Sequence, residues 1–220
     1  MDSQADSIHI HDAGADQYDR QVEAYESYAH DLLFGMSYEF VRPGQRIVDL
    51  GIGTGLSSQP FARAGLEVYG ADGSAEMLRV CRAKGFAREL RRLDLGASPW
   101  PYADRFFAHA VSCGVLHFFG DLAPVLREVS RILDQGGVFA FTVAVPPRAG
   151  DGRGEAVTGF VGLDTPWGVR TFAHADGYVR GLLGGQGLRV LKRQRFLVRG
   201  AAESEPDGVF AAYVAGMRTD

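Results

Sequence analysis

From Ile47 to Val145 the chain alternates short apolar runs with stretches whose apolar residues recur every three or four positions, as strands alternating with helices do. Ile47-Val48-Asp49-Leu50 predicts a strand, Leu56 to Ala64 a helix, and Glu67-Val68-Tyr69-Gly70-Ala71 a second strand. Ser74 to Ala83 then predicts a helix with Ser74 as its N-cap. Phe86 to Leu90 and Phe107 to Ser112 supply a third and a fourth strand, Leu122 to Leu133 a helix, and Val138 to Val145 a fifth strand between Gly136-Gly137 and Pro146-Pro147. Such alternation implies right-handed crossovers and a parallel sheet covered on both faces. Near the C-terminus a helix over Ala175 to Gly185 precedes strands at Leu188 to Val198 and Val209 to Val214. The short polar connection Gly200 to Gly208 lets those two strands pair as an antiparallel hairpin.

The flanks read differently. Residues 1–15 show no apolar periodicity and are expected to form a flexible tail. Tyr18, Val22, Tyr25, Tyr28, Leu32, Phe34 and Met36 have helical spacing, so residues 16–41 predict a helical cap that stops at Arg42-Pro43-Gly44-Gln45. Residues 146–172 are Gly- and Pro-rich with scattered acids, the character of a loop or insert over a pocket. No repeat or linker divides the chain, so residues 16–220 are expected to form one domain.

Composition narrows the function classes. With 46% hydrophobic and 23% charged residues the chain is expected to fold, and a net charge of −4 offers no basic field for a phosphate backbone. Nucleic acid is therefore not expected as a partner. No run of 18 apolar residues occurs and the first residues are acidic and polar, which predicts a cytoplasmic protein without membrane insertion. Cys81 and Cys113 cannot build a disulfide framework, and His9, His11, His30 and His109 have no partners at ligand spacing, so no metal is expected.

The sharpest chemical signal is Val48-Asp49-Leu50-Gly51-Ile52-Gly53-Thr54-Gly55, a buried strand running into a glycine turn that opens a helix. Alternating glycines let backbone pass close to a ligand without Cβ interference. A dinucleotide site would carry Gly-x-Gly-x-x-Gly, whereas Leu56 fills the third glycine's place. Asp72, 21 positions after Gly51 at the end of the next strand, is placed to grip both hydroxyls of an adenosine ribose. Leu93-Asp94-Leu95 follows the third strand, where an acid can accept from an adenine amine or simply cap a turn.

With these motifs the sequence resembles the class I S-adenosylmethionine-dependent methyltransferases, over roughly Tyr18 to Arg218. The resemblance implies an α/β, Rossmann-like three-layer sandwich with a seven-stranded mixed sheet in the order 3-2-1-4-5-7-6, strand 7 antiparallel, under an N-terminal helical lid. Carried over, Gly51 and Gly53 would line the amino-acid moiety of S-adenosylmethionine, Asp72 and Gly73 the ribose, Met77 the adenine face, and Asp94 and Leu95 the adenine edge. Tyr25, Asp49, Gly55 and Cys113 complete the expected cofactor contacts. Cys113-Gly114-Val115-Leu116-His117-Phe118 is similar to the region after strand 4 in the ubiquinone and menaquinone biosynthesis branch. Asn or Asp followed by Pro-Pro, the mark of amine methylation of bases and proteins in this fold, is absent there, where Ser112-Cys113-Gly114 stands.

The expected chemistry is an in-line methyl transfer to a small-molecule acceptor, the S-adenosylhomocysteine product leaving afterwards, by a monomer or homodimer. His117 is the candidate general base. Phe34, His117, Phe118, Trp167 and His174 are candidate substrate residues, with Phe172 a further apolar wall. Two other classes stay open at this point: a nicotinamide-dependent oxidoreductase, and a non-catalytic S-adenosylmethionine-binding regulatory protein.

Overall fold

The computed structural model describes residues 3–146, 159–165, 168–199 and 207–218, the side chains from residue 7 onward. Strands β1 (Arg46–Leu50), β2 (Glu67–Asp72), β3 (Glu89–Arg92), β4 (Phe107–Ser112) and β5 (Leu133–Ala144) lie parallel in the order β3-β2-β1-β4-β5. The register sets Leu50 beside Ala71 and Asp49 beside both Gly70 and Val111, so the ends of β1, β2 and β4 open on one edge of the sheet. That edge is where open α/β sheets bind ligands.

Two C-terminal strands, β8 (Leu188–Val198) and β9 (Gly208–Met217), form the expected hairpin, and β9 inserts antiparallel between β5 and β8. The order 3-2-1-4-5-7-6 is thus present, with β9 and β8 as its last two members. The described residues hold nine strands rather than seven. The extra pair is an antiparallel hairpin of β6 (Phe160–Asp164) and β7 (Arg170–His174), joined to β5 through Ala144 and Ala173. A loop was expected over residues 146–172, and its described part is this hairpin. Its short alternating segments are hidden in a composition dominated by glycine and proline, while residues 147–158 and 166–167 lie outside the described residues.

Helices α4 (Gln59–Arg63), α5 (Ala75–Ala83), α6 (Ala123–Ile132) and α7 (Asp176–Gly185) cover the sheet, with α3 (Ala29–Ser37) packed on the β5 and β9 side. Strand alternation divides the core into two layers: Phe139, Phe141 and Val143 of β5 enter one, Val138 and Ala140 the other. Phe141 stacks between Phe139 and Tyr213 at centroid distances of 4.6 and 5.2 Å.

The N-terminus departs from expectation. Residues expected as a flexible tail form helix α1 (Ser3–Gly14), followed by a 3-10 turn at Ala15–Gln17 and helix α2 (Tyr18–Ala24). Helix α1 has no apolar stripe to read, and a helix this polar is held by docking rather than by its own periodicity. Asp12 supplies the dock: its Oδ1 accepts from Ser74 Oγ at 2.5 Å and from the Glu76 N–H at 3.3 Å, at the start of α5.

One buried group makes stability pH-dependent. His109 on β4 is 4% exposed, its Nε2 lies 2.8 Å from Gln45 Oε1, and its Nδ1 is buried without a partner. Burial lowers its pKa from 6.5 to about 4. A depressed histidine pKa means that the unfolded chain binds the extra proton, so this contribution is present above pH 6.5 and lost as pH falls toward 4. His109→Phe is expected to flatten the decline of Tm between those two values, since Gln45 Oε1 keeps its bond from the Arg42 N–H. Thermal melts across that range check this, and a slope identical to that of the native chain would contradict it.

Candidate functional site

The glycine turn leaves β1 through two hydrogen bonds: the N–H groups of Gly51 and Ile52 both donate to Ala71 O, at 2.7 and 3.0 Å. Gly51 and Gly53 adopt φ of +81° and +54°, the left-handed region in which side chains are disfavoured. Asp72, at the end of β2, closes the cradle. Its Oδ2 accepts from the Gly53 N–H and its Oδ1 from the Ser74 N–H, each at 2.8 Å. Each oxygen retains acceptor capacity beyond these bonds. Burial raises the Asp72 pKa, and the two backbone donors oppose that shift. Ser74 caps α5 by accepting from the Met77 N–H at 3.0 Å, which sets Met77 on the cavity wall.

These elements enclose a cavity of about 670 Å³. Gly51, Gly53, Asp72, Gly73, Met77, Asp94, Leu95, Cys113 and Phe118, all singled out in the sequence, line it. Asp94 also serves the turn reading, its Oδ1 accepting from the Gly96 N–H at 2.8 Å. Three lining residues that sequence reasoning missed come from α1: Ser7, Ile8 and His11. A second cavity of about 690 Å³ adjoins the first, and Tyr18, Gly51, Gly53 and Cys113 line both. Tyr18 therefore stands at the junction, in a ring cluster with His11 and Phe118. Burial is the main cause of its phenol's pKa rising well above the ordinary value.

Several expected residues lie elsewhere. Tyr25 falls at the C-cap of α2 and is 36% exposed, lining neither cavity. Asp49 is fully buried beneath the turn, where its Oδ2 accepts from Ser57 and Ser58 Oγ at 2.5 and 2.6 Å; burial pushes its pKa to about 6. Gly55 serves packing, since a Cβ there would lie 2.5 Å from Phe86 Cζ. Phe34 packs edge-on against Phe61 at 5.1 Å, because α3 turns that face toward α4 rather than toward a cavity. His117 sits behind the wall, against Phe118 and Phe210, and burial pushes its pKa down to about 3, which leaves it a weak base. His174 is a strut, its Nε2–H donating to the carbonyls of Phe119 and Gly120 at 2.9 and 3.0 Å. Phe172 packs on Phe160, and Trp167 lies outside the described residues.

The N-terminal segment is strapped down by three acids at helical spacing. Besides Asp12 on Ser74, Asp16 meets Arg79 at 2.6 Å, and Asp19 accepts from Thr54 Oγ1 and Lys84 Nζ at 2.5 Å each. Thr54 belongs to the glycine turn, so Asp19 ties α2 directly to the cradle. Asp19→Ala is expected to weaken S-adenosylhomocysteine binding by about 3- to 10-fold and to speed amide exchange across residues 18–24. Calorimetry and hydrogen exchange check the two halves, and unchanged exchange would show that the strap holds nothing.

A parallel sheet with this strand order, and a glycine turn facing an aspartate one strand away, define a class I S-adenosylmethionine-dependent methyltransferase domain. Residues 48–141 match the profile of the methyltransferase domain family. Within that class the chain is similar to demethylmenaquinone methyltransferase of Corynebacterium kroppenstedtii, 35% identical over 109 residues that cover 48% of this chain and 46% of that protein. It is also similar to malonyl-[acyl-carrier protein] O-methyltransferase of Legionella pneumophila, 27% identical over 169 residues covering 75% and 55% of the two chains. The chain thus spans about half the length of these curated relatives. An S-adenosylmethionine-dependent methyltransferase from Mesorhizobium loti superimposes with a TM-score of 0.68 at 26% identity, over 84% of this chain and 96% of that one.

The residues present fit S-adenosylmethionine. Asp72 offers carboxylate acceptors for vicinal hydroxyls, Met77 and Leu95 offer apolar faces, and a Cβ at Gly53 would meet nothing within 4 Å, so the backbone there is open to a ligand.

Proposed function

We propose that this protein is a cytoplasmic enzyme that transfers a methyl group from S-adenosylmethionine to a small-molecule acceptor by in-line displacement. The observation that carries the reading is the meeting of two cavities at Tyr18, Gly51, Gly53 and Cys113, with Asp72 at the far end of one of them. Asp72 would hold the ribose, Gly51 and Gly53 the amino-acid end, and Met77, Asp94 and Leu95 the adenine. When bound, the sulfonium supplies an activated methyl group and a neutral thioether as leaving group.

The chain's own task is positioning and exclusion of water. Helices α1 and α2 roof the junction, and fixing two reactants in line there can supply much of the rate. The Cys113 thiol, pushed up to about 12 mainly by burial, stays protonated at neutral pH, which favours direct transfer over a covalent intermediate. Leu56 argues against a nicotinamide cofactor, whose pyrophosphate needs the third glycine. Incubation with methyl-labelled S-adenosylmethionine and a small-molecule fraction is expected to yield labelled product. Label confined to nucleic acid would overturn the acceptor class, and binding without transfer to any fraction would favour a regulatory role.

A further inference from the structure

The second cavity differs in chemistry from the nucleoside cavity. Val22, Ala29, Leu56, Phe196, Val198 and Phe210 make it largely apolar, and among its described lining residues there is no lysine, arginine, aspartate or glutamate. An anionic acceptor, a carboxylate above all, would be desolvated there without a cation. One lining side chain, His30 in the first turn of α3, has an ordinary pKa range spanning neutrality. Tyr18 and Cys113, the other ionisable groups in that lining, are both held protonated by burial. His30 Nε2 lies 3.5 Å from Asp31 Oδ2, and the imidazole side chain is 22% exposed. The rim is apolar too: Tyr28 and Leu197, 67% and 65% exposed, adjoin the lining residues Ser27, Ala29, Phe196 and Val198.

We propose that this cavity receives the methyl acceptor, that the acceptor is an uncharged, largely apolar molecule bearing a phenolic or enolic hydroxyl, and that His30 is the catalytic residue that takes the hydroxyl proton. The proposal rests on the methyltransferase reading above. Asp31 favours the tautomer with its proton on Nε2, which leaves Nδ1 as the acceptor. His30 takes the proton at Nδ1 as the hydroxyl oxygen bonds to the methyl carbon; the carbon–sulfur pair stays on sulfur, and the imidazolium later returns its proton to water. An aliphatic alcohol is too weak an acid for imidazole to assist in this way, whereas a phenol or enol is within its range.

The test uses 1-naphthol and 4-nitro-1-naphthol, the second already ionised at pH 8, with benzoate as the carboxylate control. The native chain should methylate both naphthols and leave benzoate untouched. His30→Gln should lower kcat on 1-naphthol about 100-fold, with KM and S-adenosylhomocysteine affinity within about 3-fold, and should lower kcat on the ionised naphthol less than about 3-fold. Equal losses on both naphthols, or no loss on either, would overturn the role of His30. Ala29→Trp should abolish naphthol turnover while S-adenosylhomocysteine still binds, and retained turnover would overturn the placement of the acceptor. Nucleoside binding in the native chain with methylation of benzoate instead, or of none of the three, would overturn this proposal alone. Failure of S-adenosylhomocysteine to bind would remove the methyltransferase reading beneath it.

Discussion

Asp72→Ala is expected to raise the dissociation constant of S-adenosylhomocysteine by about 30- to 1,000-fold, a loss of about 2–4 kcal/mol. Two costs combine. The ribose hydroxyls lose a charged acceptor, and the Gly53 and Ser74 N–H groups, each bonded to that carboxylate at 2.8 Å, lose the partner that shapes the cradle. Asp72→Asn separates these costs, because a side-chain amide keeps one acceptor oxygen and much of the geometry. It should fall between the native chain and the alanine variant, with a Tm closer to the native one. Calorimetric titration of all three proteins is the measurement, and native affinity in the alanine variant would remove Asp72 from the site.

Gly51→Ala is expected to be the most damaging single methyl group that can be added to the site. The new Cβ would lie 2.3 and 2.9 Å from the two Val115 methyl carbons, at a φ of +81°. Left-handed backbone costs a side chain about 1–2 kcal/mol, and overpacking about 1–3 kcal/mol more, so about 2–5 kcal/mol of stability should be lost. Gly53→Ala provides the contrast, because a Cβ there meets nothing within 4 Å and the backbone cost stands alone. Denaturant midpoints should place Gly51→Ala well below Gly53→Ala, and the companion change Val115→Ala should recover the steric part of the deficit. If the two glycine variants melt together, close packing between the turn and Val115 does not limit stability.

Much of this fold was legible because its signals are local. The apolar run Ile47 to Leu50, the N-cap at Ser74 and the alternation through Val138 to Val143 each report their own conformation, and the observed elements match them within a few residues. The glycine turn and Asp72 were legible for the same reason, since a close backbone approach admits few residue types. What escaped depends on contacts between distant segments. Tyr18 and Tyr25 share helical spacing, yet α2 ends at Ala24, so Tyr25 projects outward from the helix end while Tyr18 reaches the junction. Helix α1 has no apolar stripe, and His11 and Ile8 enter the site because Asp12 docks far along the chain, at Ser74. Phe34 and His174 looked like pocket residues by type. One packs against Phe61 and the other braces two carbonyls of the segment after β4.

The strap formed by α1 and α2 covers both compartments: Ile8 and His11 face the nucleoside cavity, Val22 faces its neighbour, and Tyr18 touches each. Releasing that one segment would uncover both chambers together, so loading and emptying are coupled events rather than separate ones. An acceptor with two modifiable positions would then escape whenever spent nucleoside is exchanged, and its double modification would proceed by separate encounters.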